Sequence, residues 1–325
     1  MSFSLSAQDI HFSQNHMMPG YINPALSGLF NGDFRFSGIL RNQWNSVTIP
    51  YKTIAFGVDA KLSKQLINGL NSGAGLMVLS DKAGDSEYST NGALLNLNAS
   101  INPGGDSVHF FFFGLQPGIF QRSINFDKLQ YDNQFDGDIY DPTLPNGEQF
   151  GMSDFSFFDF GAGLAWHYVI NEKLNSTVGY SYQHMNEPKQ SFFDNVSTTL
   201  PHKTSITAGA NYFINDKIAV HPMFIYQQQD NFSQVLSGAQ LSYVLKSAFN
   251  DQWIVSTGTM YRSKDAFSVI NSLQHNNLKV GIAYDINIST LSQASNGKGA
   301  FEIGLMYIIH KVKPVDSPVK ICPIY

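Results

Sequence analysis

Between Asn277 and Ile288 the chain alternates strictly, with Leu278, Val280, Ile282, Tyr284 and Ile286 on one face of an extended strand and Lys279, Gly281, Ala283, Asp285 and Asn287 on the other. Such a ribbon meets two different surroundings. Alternation alone does not distinguish a protein core from lipid, because soluble sandwich strands alternate too. The same plan recurs along the chain. Strands are predicted over 33–44, 52–61, 72–81, 88–100, 107–116, 155–168, 176–184, 204–213, 217–228, 234–246, 251–262, 266–273, 277–288 and 299–310. That gives about fourteen, at the close spacing of antiparallel hairpins. The alternation blurs at Phe110 to Phe113, which is apolar on both faces, and Pro222 interrupts the ladder of its strand.

An even strand count returns both ends of an up-and-down barrel to one side of a membrane, which we call the near side. Loop lengths agree with that arrangement. Tight turns at 214–216 and around Asn276 fall on the near side, while the long stretches 117–154 and 185–203 fall on the far side. Aromatic residues agree as well. Trp44, Tyr226 and Tyr261 share the apolar parity at far-side strand ends, and Tyr168, Tyr212, Tyr243, Trp253 and Tyr307 share it at near-side ends, as two interfacial girdles require.

The opposite faces carry polar or small residues: Thr53, Gly57 and Asp59; Asp159, Gly161 and Gly163; Thr207, Gly209 and Asn211; Glu302 and Gly304. A water-filled pore would explain the polarity, and the glycines suit a second backbone lying against the inner wall. Residues 8–32 show no period and are punctuated by Pro19, Gly20, Asn23-Pro24 and Gly28. This segment is expected to plug the lumen or to lie in the periplasm, with His11, Phe12, Gln14, Asn23 and Pro24 as its lumen residues. The predicted division is a signal-peptide remnant over 1–7, this segment, a transmembrane all-β barrel over 33–310 and a periplasmic tail over 311–325.

Composition narrows the function classes. Charged residues make up 14% of the chain, against roughly 25% in typical globular chains. A net charge of -5 without a basic stripe argues against nucleic acid as partner. No apolar run is long enough for a membrane-spanning helix, so a membrane form must be a barrel. The single cysteine, Cys322, excludes an internal disulfide framework and reads as an isolated thiol.

The long stretch 117–154 is the main candidate recognition surface, since long surface loops usually carry function. Its aromatics Phe126, Tyr131, Phe135, Tyr140 and Phe150 interleave with Asp127, Asp132, Asp136, Asp138, Asp141 and Glu148. An EF-hand reading from Asp132 places Asp136 and Gly137 correctly but puts Gln134 and Thr143 at ligand positions, so Asp132, Asp136 and Asp138 are only a weak calcium candidate beside a solvated acidic loop. No cofactor is expected. Catalysis has little support, because Ser181 and His184 have opposite strand parity and no GxSxG, HExxH or phosphate-binding loop is present. Arg41 and Gln43 point inward at the far-side mouth and Trp44 takes a girdle position. Their ordinary role is hydrogen bonding in the lumen, and their functional one is contact with a partner segment. The candidate partner-binding set is Arg41, Gln43, Trp44, Tyr131, Asp132, Asn133, Phe135, Tyr140 and Asp141.

The words of the sequence carry more. Residues 8–14 (Gln-Asp-Ile-His-Phe-Ser-Gln), Asn23-Pro24-Ala25, Phe30-Asn31-Gly32-Asp33, Arg41-Asn42-Gln43-Trp44 and Pro50-Tyr51-Lys52-Thr53 open the chain. Further on stand Gln121-Arg122-Ser123-Ile124, Phe126-Asp127-Lys128-Leu129, residues 188–193 (Pro-Lys-Gln-Ser-Phe-Phe), Tyr261-Arg262, Asp265-Ala266, Tyr284-Asp285-Ile286-Asn287 and Cys322-Pro323. Together they resemble the PorP/SprF family of Bacteroidetes outer-membrane proteins, nearly from end to end and in order. The terminal Cys-Pro-Ile-Tyr departs from the family's usual Cys-Pro-Arg-Phe. The resemblance implies an outer-membrane location, no catalytic residues, and association with the type IX secretion and gliding machinery. It implies as partner the C-terminal domain of a secreted surface adhesin, or, alternatively, periplasmic ring lipoproteins of the apparatus. A diffusion porin is the reading from another class.

Overall fold

The computed structural model describes residues 9–44, 49–67, 70–105, 108–135, 137–147, 152–192, 198–248, 251–290 and 292–310. Fourteen antiparallel strands close into a single barrel. They are β1 (Phe34–Gln43), β2 (Tyr51–Ile67), β3 (Leu70–Ala83), β4 (Tyr88–Ile101), β5 (His109–Ser123), β6 (Asp154–Asn171) and β7 (Leu174–Gln183), followed by β8 (Lys203–Asn215), β9 (Ile218–Gln229), β10 (Phe232–Ala248), β11 (Asp251–Arg262), β12 (Ala266–His275), β13 (Leu278–Asn287) and β14 (Lys298–Ile309). Each strand pairs with its sequence neighbours, and β1 closes the ring on β14 from Phe34↔Ile309 to Gln43↔Ala300. Closure leaves no unpaired edge, which an apolar medium without competing water requires. No described helix is long and apolar enough to cross a membrane.

The outer wall is the apolar parity. On β13, Leu278, Val280, Ile282, Tyr284 and Ile286 are exposed while Gly281, Ala283, Asp285 and Asn287 are buried. On β5 the blurred run resolves the same way: Phe111 and Phe113 face out, and Phe112 is buried against Ala25 and Ala165. An apolar residue on the lumen face is therefore a contact with something inside the barrel.

Several strands are longer than predicted. β5 runs on through Ser123, so the long far-side connection begins at Ile124 rather than at Pro117. Pro117 is tolerated because its pairing to β6 is continuous at Pro117↔Phe160, whereas the ladder to β4 skips from Leu94↔Gly118 to Leu97↔Leu115. Pro222 acts alike, and the β8–β9 ladder skips from Gly209↔Met223 to Tyr212↔Val220. Far-side connections include the long 124–153 and 184–202, while near-side turns such as Glu172-Lys173, Asp216-Lys217 and Asn276-Asn277 are tight.

Residues 9–32 lie inside the ring. The segment is not fully irregular: it holds short helical turns at Asn15–Met17, Pro19–Ile22 and Pro24–Leu26. It enters at the far-side mouth, where Asp9 meets His184 and Lys203, and leaves at the near side, where the Asp33 backbone N–H donates to the Ile309 carbonyl at 2.8 Å. Residues 1–7 and the tail 311–325 with Cys322 lie outside the described residues.

Candidate functional site

The lumen segment is fixed at three heights, each by residues that strand parity turns inward. At the far-side mouth, the Ser13 and Gln14 backbone N–H groups donate to Glu302 on β14 at 2.7 and 3.0 Å. The Ser13 hydroxyl donates to Asp285 on β13 at 2.7 Å. Those carboxylates are in turn held by arginines: Arg41 on β1 pairs with Glu302 and, at 3.0 Å, with Asp285, while Arg262 on β11 donates to Asp285 at 2.7 Å and to Asp265 at 2.6 Å. Arg41, Arg262, Asp285 and Glu302 are all essentially removed from solvent. Buried charges survive only when paired and hydrogen-bonded, and planar guanidinium forks satisfy several acceptors at once. His11 completes the group, with its Nε2 3.4 Å from the Arg41 guanidinium.

At mid-height the segment fits into a gap left by glycines. A Cβ on Gly114 would lie 2.3 Å from the Ala25 backbone nitrogen, and one on Gly163 would lie 2.1 Å from Asn23 Oδ1. Asn23 uses its whole amide: Oδ1 accepts from the Ala25 N–H at 2.9 Å, and Nδ2 donates to the Leu164 and Tyr180 carbonyls at 2.9 and 3.2 Å. Pro24 is buried next to it, while Phe12 is buried with Met17, Met18 and Ile39 and lies edge-on to Tyr21 at 5.7 Å. Gln116 donates to the Gly20 carbonyl at 3.0 Å, Gln183 to that of Tyr21 at 3.0 Å and Ser181 to that of Ile22 at 2.7 Å. Gln14 lies against Gly281 and Gly304, so Gly281 faces this segment. At the near side, Asp59 accepts from the Gly28 N–H at 2.7 Å and from the Arg35 fork at 2.9 and 2.7 Å.

A second charged group joins the start of the segment to the opposite wall. His184 Nε2 lies 2.8 Å from Asp9 and its Nδ1 lies 2.9 Å from Asp159, while Lys203 donates to Asp9 at 3.2 Å. Burial works against the His184 charge, but the carboxylates of Asp9 and Asp159 outweigh it and push the imidazole up to about 9. Burial likewise opposes ionisation of Asp9, and Lys203 with His184 nonetheless holds its carboxyl well below the usual range. Strand parity had placed Ser181 and His184 on opposite faces. Both point inward, because His184 lies just past the end of β7 with a left-handed backbone, φ 58°. The Ser181 hydroxyl is engaged by Ile22 rather than by the imidazole.

Above the mouth, the far-side loops pack on one another. Phe192 centres an aromatic cluster with Phe155 at 4.9 Å, Phe126 at 6.1 Å and Tyr88 at 6.2 Å. Gln134 is the hub of the long loop: its Nε2 donates to the Leu144 carbonyl at 3.0 Å and its Oε1 accepts from the Tyr140 hydroxyl at 3.1 Å. Tyr131 donates to the Phe126 carbonyl at 3.1 Å, Asp132 opens a short helical turn, and Asn133 donates to the Asn146 carbonyl at 3.3 Å. Asp141 accepts from the Thr143 backbone N–H and hydroxyl at 2.9 and 2.6 Å. Phe135 and Ile139 protrude, 55% and 65% exposed.

Of the expected contact residues, Tyr131, Asp132, Asn133, Phe135, Tyr140 and Asp141 thus cluster on this loop. Arg41 lies inside the mouth with Gln43 at 3.3 Å, and Trp44 stands edge-on to Tyr51 at 4.9 Å on the mouth's rim. Asp136 lies outside the described residues, and among the described residues no group of His, Cys, Asp or Glu is placed to hold a metal. Sequence reasoning missed Asp9, His184, Lys203 and Arg262 as holders of the segment and Gln134 as the loop's hub. Inward parity was a usable signal only for Lys203 and Arg262.

Comparison with protein families matches residues 4–307 to "Type IX secretion system membrane protein PorP/SprF". The chain belongs to the PorP/SprF family. It is an outer-membrane β-barrel of the type IX secretion system's family, and family and fold are those of a membrane barrel rather than of a known enzyme class. Among curated proteins, none matches the chain. Solved structures give the fold alone. The Ralstonia pickettii toluene transporter TbuX matches at 12% identity with TM-score 0.50, covering 89% of this chain and 92% of its own. The monoaromatic hydrocarbon channel CymD matches at 11% identity with TM-score 0.50, covering 92% of this chain and 94% of its own.

Proposed function

We propose that this PorP/SprF barrel is an adaptor that holds a protein exported by type IX secretion at the cell surface, receiving the C-terminal domain of a surface adhesin on its far-side rim. The reading rests on where exposed apolar surface is found. The lumen is occupied by residues 9–32, which the wall holds through Ser13, Asn23 and the backbone of Gly20, Tyr21, Ile22 and Gly28, whereas Phe135 and Ile139 stand out from a loop that is internally braced by Gln134. A braced loop that presents aromatic and aliphatic side chains has the composition of an interface core with a polar rim, here Asp132, Asn133 and Asp141. Periplasmic ring lipoproteins would instead meet the near-side turns, and a diffusion pore would have no use for either feature.

The test is purification in mild detergent followed by identification of co-purifying chains, from the wild type and from Phe135→Ser with Ile139→Ser. The expected outcome is an adhesin fragment on the wild type and a loss of about tenfold or more on the double variant, as for hot-spot side chains. Recovery of ring lipoproteins alone, of no partner, or of the same adhesin in the same amount on the variant would overturn the assignment.

A further inference from the structure

The outer wall carries a charged departure from apolar parity that the adaptor reading does not use. At the far-side end of the β1–β5 wall, a lateral row of paired residues reads Asn42↔Lys52↔Lys82↔Ser89↔Ser123. Each shares the lipid-facing parity of its strand: Lys52 follows Ile54 and Phe56, Lys82 follows Val78 and Ser80, and Asn42 follows Leu40, the apolar members of which are all exposed. The row stands above the apolar band, directly above Leu40 and Ile54 on β1 and β2 and separated from it on β3–β5 by the polar residues Ser80, Asn91 and Gln121, which places it at the height of the outer-leaflet headgroups.

Two ammonium groups directly opposite each other across antiparallel strands repel and destabilise the sheet unless an anion lies between them. Lys82 pairs with Glu87 at 2.8 Å, and the same carboxylate receives Lys128 at 2.7 Å. Two lysines thus already share one carboxylate. Lys52 has no ion pair among the described residues, and neither does Asp85 on the same turn as Glu87. Asn42 Oδ1, beside Lys52, is enclosed by protein without a hydrogen-bond partner. The row ends at Asp154 on β6, paired with Ser123 and engaged by Gln121 at 3.3 Å, three strands away from Lys82 and four from Lys52.

We propose that Lys52 and Lys82, flanked by Asn42 and Ser89, form a binding site for the phosphate of a phosphorylated glycolipid headgroup in the outer leaflet. The chemistry selects the ligand. A phosphate presents several acceptor oxygens and a full charge to two ammonium donors, the neighbouring hydroxyl and amide groups suit sugar hydroxyls, and the apolar band below receives acyl chains. Bound there, the lipid would fix the rotational setting of the barrel under the far-side loops.

The experiment is native mass spectrometry of the full chain in mild detergent, titrated with bis-phosphorylated lipid A, with its dephosphorylated form, and with inorganic phosphate. We expect retention of the phosphorylated lipid only. Each of Lys52→Ala and Lys82→Ala should weaken it roughly fivefold and the pair about twenty-five-fold, while a control pair of near-side lysines, Lys173→Ala with Lys217→Ala, leaves it unchanged. All variants are first checked for the heat-dependent gel shift of a folded barrel. Equal binding of the dephosphorylated lipid, displacement by inorganic phosphate at comparable concentration, or an unchanged affinity in the folded Lys52/Lys82 double variant would each contradict the site.

Discussion

At the scale of single residues, the molecule is held by a few fully buried polar groups whose loss cannot be compensated by water. Arg41 neutralises Glu302 and Asp285, and both carboxylates also accept from the lumen segment. Removing the guanidinium in Arg41→Ala leaves Glu302 buried without its cation, while Asp285 keeps Arg262, and about 3–5 kcal/mol is expected for the broken buried pair. The midpoint of urea-induced unfolding in detergent should fall accordingly, and an unchanged midpoint would contradict the network.

His184 offers a second residue-scale test. Its folded pKa of about 9 lies above the ordinary 6.5, so the stabilisation it contributes is complete below 6.5 and is lost as pH rises through about 9. The wild type should therefore lose stability between pH 7 and pH 10 more steeply than His184→Gln, by unfolding midpoints measured across that range. Parallel profiles would show that the proton on His184 does not hold Asp9.

At the scale of elements, β13 shows how a strand serves two surroundings. Ile282 faces lipid, and Ala283 is buried in a cluster with Ile22, Met260 and Ile270. Ile282→Lys should impair insertion, at about 2–4 kcal/mol near the bilayer midplane, as read from the folded fraction after refolding into vesicles. Ala283→Lys should insert but displace the lumen segment. The two defects are distinguished by labelling a cysteine placed at Ala25 in a Cys322→Ser background: reactive in Ala283→Lys, protected in the folded remainder of Ile282→Lys. Protection in both would remove Ala283 from the segment's contact.

Much at this scale was legible beforehand, for a physical reason. Period-two alternation and loop parity record the two media directly, so the fourteen strands and their facing could be read from residues such as those of β13. Strand ends were less legible, because β5 continues past Pro117 by leaving a gap on one side only, which no local pattern announces. The anchoring of the lumen segment was hidden more deeply. Glu302, Arg41 and Ser13 are far apart in the chain and meet only when the barrel closes, and His184 turns inward through a backbone conformation outside strand parity.

At the scale of the whole molecule, the barrel is organised around residues 9–32 as much as around its wall. The segment is tied to β1, β13 and β14 at the far mouth, to β5, β6 and β7 at mid-height and to β2 at the near side. A lumen held at three heights is a rigid platform for a rim, and a poor route for diffusion. On the proposed reading, function lies at the surface of the platform, in the loops and the lipid-facing row, rather than in its interior.

The most direct test of this account is single-channel conductance of the intact chain in planar bilayers, compared with a variant lacking residues 9–31. The account predicts no steady open channel for the intact chain and a persistent, salt-dependent conductance for the shortened one. A large, stable conductance from the intact chain would show an open lumen and contradict it.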